Sequence, residues 1–120
     1  MSYIYANAKV VNINNDAMSF SMPFLVDTGA IDSYIPANEL EKINVTRTGK
    51  KTFELADGKI VQYDTGYAFI YVFGEKVAAN VIFGAEGVEP LLGVTVLESA
   101  GLIVDPVNQT LKKIAAIPLK

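Results

Sequence analysis

The residues best suited to chemistry lie in one short run, Phe24-Leu25-Val26-Asp27-Thr28-Gly29-Ala30. Its apolar first half predicts a strand that leads Asp27 into a turn. Burial disfavours the charged form of a carboxylate, so an aspartate at the inner end of an apolar strand indicates chemistry more than solubility. Gly29 permits a turn that a residue with a Cβ would resist, and the Thr28 hydroxyl can satisfy nearby backbone groups.

The amino-acid composition narrows the chemistry further. The chain has no cysteine and no histidine. Their absence excludes disulfides, cysteine nucleophiles, histidine general bases and the common zinc sites. Carboxylates, lysines and tyrosines remain for proton transfer, and we expect no metal and no cofactor.

Length and charge bound the class of protein. With 120 residues, of which 51% are hydrophobic, the sequence predicts a single domain over residues 1–120. A net charge of −3 argues against a nucleic acid or an anionic membrane as partner. The longest apolar run, residues 67–73, is far shorter than the ~20 residues of a membrane helix, and the N-terminus lacks the features of a secretory signal. We expect a soluble, cytoplasmic protein.

Short strands with turn signals between them fill most of the chain. Alternating residues predict a hairpin of residues 6–13 and 18–22, and the strand pairs 52–55 with 60–63 and 67–73 with 77–83. Residues 46–52 are polar and basic and indicate a loop. The Ala56-Asp57-Gly58-Lys59 turn is suited to the tip of a mobile lid.

Two short helices and a C-terminal strand complete the predicted elements. Pro36 to Ile43 has helical spacing, and Thr95-Val96-Leu97-Glu98 has the form of a capping box, with Gly101 as a helix stop. Residues 102–104 and 111–119 predict two further strands around a turn at 106–109. We interpret the last strand as part of the core rather than as a strand between subunits. The fold class is therefore mostly β, a closed barrel with one or two short helices.

At these residues the chain resembles the retropepsin-like aspartic protease family, in particular its small single-lobe archaeal and bacterial members. The resemblance covers most of the chain. It depends on Val26 to Ala30 followed by Ser33 and Pro36, on Leu55-Ala56-Asp57-Gly58, and on Leu91-Leu92-Gly93-Val94 continuing to Pro106. It implies a retropepsin-like acid-protease barrel that functions as a homodimer.

The resemblance also implies roles for individual residues. Asp27 would be the catalytic aspartate, Thr28 would join the two active-site loops across the dimer axis, and Gly29 would contact the substrate backbone. Ala30 and Asp32 would also contact substrate, and Ala56, Asp57 and Gly58 would form the flap tip over it. Leu91-Leu92-Gly93 and the following helix would pack behind the catalytic loop.

Two positions depart from the viral members of the family. Those proteins usually have an aspartate two residues after the motif glycine, whereas this chain has Ile31 there and Asp32 one place later. The predicted flap tip also lacks their glycine-rich sequence. We therefore expect substrate anchoring to differ.

The Asp-Thr-Gly triplet occurs twice, at residues 27–29 and 64–66. A separation of 37 residues (64 − 27) is too short for a second lobe, so Asp64 cannot be the internal partner of Asp27. We interpret Asp64 as a turn or strand-edge residue.

Because aspartic proteolysis needs two carboxylates that share a proton, one suitable aspartate per chain predicts a homodimer. The leading hypothesis is an aspartic endopeptidase that hydrolyses peptide or protein substrates with a water activated by two copies of Asp27. The first alternative is a non-catalytic dimer of the same fold that binds peptides. The second is a structural barrel in which Asp27 only forms a turn.

Overall fold

Most of the chain forms β-strands in the computed structural model, which describes residues 3–116 and 119. The helices are α1, Ala37–Lys42, and α2, Val94–Ser99. The strands in the described residues are β1 Tyr5–Asn12, β2 Asn15–Val26, β3 Ser33–Pro36, β4 Arg47–Glu54, β5 Ile60–Val72, β6 Glu75–Gly84, β7 Leu91–Leu92, β8 Leu102–Asp105 and β9 Thr110–Lys113.

Among the described residues, seven strands form one sheet in the order β1-β2-β7-β3-β6-β5-β4. An additional pairing joins β1, at one end of this order, to β5, the strand before the other end. The length of β5 makes this possible. Residues 60–66 of β5 pair with β4, and residues 69–72 pair with β1. The sheet therefore curls on itself and leaves β4 as a projecting edge, which confirms the predicted mostly-β fold with two short helices.

The core lies inside the curled sheet. Alternate residues in the first part of β1 point inward, so Ala6 and Ala8 are buried between exposed neighbours, and the buried run Val10 to Asn12 follows. Phe24, Ile35, Leu40, Ile70 and Leu92 are among its fully buried side chains. The helices contribute Leu40, Val96 and Leu97, and no helix in the described part of the chain is long and apolar enough to cross a membrane.

The three predicted hairpins are present. β1 pairs with β2, β4 with β5, and β5 with β6, all antiparallel. The prediction of a loop over residues 46–52 is wrong, because β4 begins at Arg47. Most side chains of β4 are exposed, so it lacks the apolar alternation that marks a half-buried strand, and its lysines are typical of a sheet edge.

The second Asp-Thr-Gly triplet lies inside β5 and not in a turn or at the end of a strand, which corrects the interpretation of Asp64. Thr65 is buried. A Cβ on Gly66 would lie 2.4 Å from the Thr46 carbonyl oxygen. Glycine at this position therefore allows two backbone segments to approach closely, which is a structural role.

The second helix begins two residues earlier than a capping box with Thr95 as the cap would require. Gly93 precedes its first residue, and no side chain caps its N-terminus, so the predicted role of Thr95 as the cap is wrong. Gly101 ends the helix as predicted. Its φ is +70°, and its amide donates a hydrogen bond of 3.0 Å to the Glu98 carbonyl.

The C-terminal segment forms a separate antiparallel pair of β8 and β9. The turn between them is stabilised by Asp105, whose Oδ1 accepts hydrogen bonds from the amides of Val107 and Asn108. The predicted core strand over residues 111–119 is wrong beyond Lys113, since Ala115 and Ala116 are exposed and outside any strand. Ile117, Pro118 and Lys120 lie outside the described residues, and the alternative of a strand between subunits is not tested.

Candidate active site

Asp27 follows β2 directly and is held in place through its backbone. Leu25 and Val26 of β2 pair with the parallel strand β7, and the Asp27 amide donates a hydrogen bond of 3.0 Å to the Leu92 carbonyl. On the other side, the Val26 amide donates to the Ile4 carbonyl at 2.8 Å. The position of Asp27 is therefore fixed by two neighbouring segments of the same chain.

The residues after Asp27 form a tight turn around its carboxylate. Asp27 Oδ1 accepts a hydrogen bond from the Gly29 amide (2.9 Å), and the Asp27 carbonyl accepts one from Ala30 (3.2 Å). A Cβ on Gly29 would lie 3.3 Å from Oδ1, a close contact. Asp27 is half-buried, while Thr28 and Gly29 are exposed. The carboxylate is therefore less enclosed than its apolar strand predicts.

The polypeptide behind this turn supports it with further hydrogen bonds. The amides of Val94 and Thr95 donate to the carbonyls of Ala30 (2.7 Å) and Ile31 (3.2 Å). The Gly93 amide donates to the fully buried Ser33 hydroxyl at 3.0 Å.

Only glycine fits at position 93, because a Cβ there would lie 2.6 Å from the carbonyl oxygens of Ile31 and Asp32. Leu91-Leu92-Gly93 and α2 thus pack behind the Asp27 turn, as the family resemblance implies.

A cavity of about 580 Å³ opens beside the turn. Gly29, Ala30 and Asp32 form part of its wall, so three of the predicted site residues are together. The rest of its lining comes from the strands around it: Ile31, Tyr34, Lys51, Thr52, Phe53, Glu54, Leu55, Tyr63, Ile82 and Leu91. The strand β4 and the start of the hairpin it forms with β5 therefore cover the side of the cavity opposite the Asp27 turn.

The tip of this hairpin lies away from the cavity. Ala56, Asp57 and Gly58 are exposed and do not line it. The turn itself is well defined, since the Leu55 amide donates to the Lys59 carbonyl at 2.8 Å and Gly58 has a φ of +85°. Contact between this tip and a substrate stays a prediction.

Several cavity residues were not among those singled out as substrate-binding. Lys51 is missed because the polar and basic residues 46–52 indicate a loop, whereas Phe53 and Leu55 belong to the predicted strand 52–55 without being assigned to a site. Continued strand alternation through this segment would have assigned the three side chains to one face. Tyr34 and Tyr63 also line the cavity.

The aromatic side chains form one wall of the cavity. The Tyr34 and Tyr63 rings meet edge to face with centroids 5.4 Å apart, and Phe53 lies 6.0 Å from Tyr63. The Tyr34 hydroxyl accepts a hydrogen bond of 3.4 Å from the Ala85 amide. Burial raises the pKa of the Tyr34 hydroxyl, and the neighbouring Tyr63 hydroxyl adds to this effect, so Tyr34 stays neutral at neutral pH.

Asp64 of the second triplet belongs to a separate ionic cluster. Lys50 Nζ donates to its Oδ1 at 2.6 Å, and Arg47 Nε donates to its Oδ2 at 2.9 Å. Arg47 also contacts Glu41 at 2.9 Å and lies over the Phe83 ring. The hydrogen bond from Lys50 lowers the pKa of Asp64, and Arg47 lowers it further. Both oxygens of Asp64 are therefore engaged by cations.

No cluster of metal-ligating side chains occurs in the part of the chain that the structure describes. Among residues 3–116 and 119, no group of three or more His, Cys, Asp or Glu side chains is arranged to hold a metal ion.

The chain shares its fold with retroviral proteases. It aligns with the simian foamy virus (mac) protease with a TM-score of 0.56 and 20% identity, over 78% of this chain and 90% of that one. It aligns with the EIAV protease, in its complex with the inhibitor HBY-793, with a TM-score of 0.61 and 17% identity, over 83% and 89%. No protein-family model matches the sequence, and no curated protein matches it.

Replacing Ser33 tests how the Asp27 turn is supported. Ser33→Ala leaves the Gly93 amide without its acceptor in a buried position, so we expect the free energy of unfolding to fall by about 1–3 kcal/mol. Urea denaturation measures this loss. Ser21→Ala, at an exposed position of β2, is the control and should change stability by less than about 0.5 kcal/mol. Equal effects of the two substitutions would contradict the assigned role of Ser33.

The ionic cluster around Asp64 predicts a pH dependence of stability. Because the folded-state pKa of Asp64 is lowered, its contribution is complete above the unfolded-state pKa of about 4 and is lost as pH falls through the folded-state value. Asp64→Asn should therefore lower Tm relative to the natural protein at about pH 6, and this difference should shrink below about pH 4. A difference in Tm that is constant across this range would refute the assignment.

Proposed function

We propose that two copies of this chain form an aspartic endopeptidase in which Asp27 of each copy activates a water molecule for peptide-bond hydrolysis. The observation that carries the proposal is the geometry of Asp27. Its backbone is fixed by β7, its turn is supported by α2, and the residue is half-buried. The next residues of the turn, Gly29 and Ala30, line a cavity of about 580 Å³. The fold shared with retroviral proteases supports the same conclusion.

The chemistry requires two carboxylates that hold one proton between them. The neutral carboxyl group donates a hydrogen bond to the carbonyl oxygen of the scissile bond, while the charged one takes a proton from the attacking water. The pair titrates as a unit, so no pKa belongs to either copy alone.

Each chain supplies one carboxylate in a suitable setting. Asp64 is not a candidate for the second, because Lys50 and Arg47 engage both of its oxygens. A two-fold axis beside Asp27 brings it against its own copy. Such an axis would also cover the exposed Thr28 and Gly29, in keeping with the role of Thr28 in joining the two turns.

The same arrangement accommodates an extended peptide as substrate. β4 ends the order of strands in the main sheet, so its outer edge can pair with an added strand. Gly29, Ala30 and Asp32 would contact the substrate from the side of the catalytic turn. Ala56, Asp57 and Gly58, now exposed, would close over it from the hairpin tip.

The remaining features follow from the sequence. We propose one domain over residues 1–120, with no cofactor, no nucleic-acid partner and no membrane partner. The absence of cysteine favours the cytoplasm. We also propose that the chain is of the small single-lobe type found in archaea and bacteria.

Asp27→Asn tests the proposal, because the amide cannot take up a proton from water. We expect peptide hydrolysis to fall at least about a hundredfold. The readout is cleavage of a mixed peptide library, followed by mass spectrometry. Asp64→Asn is the matched control, since it makes the same change in the same triplet outside the cavity, and its activity should stay within about twofold of the natural protein.

The two variants also separate the competing functions. Peptide binding without cleavage in the natural protein would indicate the non-catalytic peptide-binding dimer. Hydrolysis that survives Asp27→Asn would contradict the assignment of Asp27. If the natural protein neither cleaves nor binds peptides, the fold would serve a structural role.

A further inference from the structure

The cavity beside Asp27 contains one ion pair that joins its two sides. Lys51 of β4 pairs with Asp32, which follows the catalytic turn. The Asp32 side chain is only 10% exposed, whereas Lys51 is 45% exposed. The less accessible charge of the cavity is therefore a carboxylate, and a residue on the opposite strand neutralises it.

The neighbours of Lys51 place this pair on the inner face of β4. Side chains alternate along a strand, so Lys51 and Phe53 share one face and Lys50 and Glu54 share the other. Phe53 packs near Tyr63 on the cavity side, while Lys50 pairs with Asp64. Asp32 and Lys51 thus form the ion pair of the inner face. Glu54 also lines the cavity, but it is exposed and belongs to the outer face of β4.

The rest of that inner face is apolar or aromatic. It includes Tyr34, Phe53, Tyr63, Ile82 and Leu91. An uncharged side chain that enters the cavity buries apolar area and leaves the ion pair intact. A basic side chain would have to displace Lys51 from Asp32. This displacement replaces one cationic partner of Asp32 with another, so it gains no ion pair, and the incoming charge must still lose its hydration.

We infer that Lys51 is a specificity-determining residue, which neutralises Asp32 so that the cavity accepts large apolar side chains of the substrate and discriminates against basic ones. This inference rests on the proposed function, because it names the substrate class of the same site. It predicts that loss of Lys51 releases Asp32 to bind a basic side chain.

The test compares peptides that are identical except for Leu or Arg at one position at a time on either side of the scissile bond. The measured quantity is the ratio of kcat/KM for the Arg peptide to that for the Leu peptide, with both peptides assayed at the same pH of about 6. The natural protein should favour Leu by about tenfold or more at the position that enters the cavity. Lys51→Met should raise the ratio about five- to tenfold.

Two further variants isolate the cause. Lys50→Met removes the same charge from the adjacent residue on the outer face, and should leave the ratio within about twofold. Asp32→Asn combined with Lys51→Met removes both members of the pair and should restore the preference for Leu. Thermal melting of each variant establishes that it is folded before its ratio is compared.

The outcomes separate this inference from the proposed function. Equal effects of Lys51→Met and Lys50→Met, or a preference of the natural protein for Arg, would overturn the role of Lys51. If no peptide is cleaved, the proposed function fails, and the same ratio is measured as Kd by fluorescence anisotropy. A shift in that binding ratio with Lys51→Met would then sustain the inference, while an unchanged ratio or no binding would overturn it.

Discussion

The structure depends on the backbone contact between the Asp27 turn and the segment Leu91-Leu92-Gly93. This segment is distant from the turn in sequence, yet its Leu92 carbonyl accepts a hydrogen bond from the Asp27 amide. Its Gly93 amide donates a second hydrogen bond to the buried Ser33 hydroxyl. Two main-chain segments can approach this closely because residue 93 has no Cβ. A carboxylate that reacts must be held in one place, and here main-chain hydrogen bonds hold it without engaging both of its oxygens.

The two Asp-Thr-Gly triplets show how surroundings give the same residues different roles. Asp64 lies on β5, which pairs with the edge strand β4. Lys50 and Arg47 of β4 lower the pKa of Asp64 and donate hydrogen bonds to both of its carboxylate oxygens. Asp27 lies in a turn, accepts one hydrogen bond from Gly29 and has exposed neighbours. The cations make Asp64 a structural group, whereas the open turn leaves Asp27 able to meet a second carboxylate. The proposed function needs this contrast.

Sequence reasoning succeeded where local chemistry decides the structure. Asp57-Gly58 predicts its turn, Gly101 predicts the end of α2, and the apolar strand before Asp27 predicts where the turn falls.

Sequence reasoning failed where tertiary contacts decide the structure. β4 has most of its side chains exposed, so its basic residues look like a loop, and it is a strand because β5 pairs with it. Thr95 lies within α2 because the amides of the first helical turn bind the carbonyls of Ala30 and Ile31. Lys51 was missed for the same reason as β4.

The most direct test of the central claim, a reaction centre shared by two identical chains, is the activity of mixed dimers. The natural protein is unfolded and refolded with increasing fractions of Asp27→Asn, at a total concentration at which the chains are shown to be dimeric. If each centre needs one Asp27 from each chain, activity falls as the square of the natural fraction, to about one quarter in an equal mixture. A linear fall, to about one half, would show that each chain acts alone and would contradict the account.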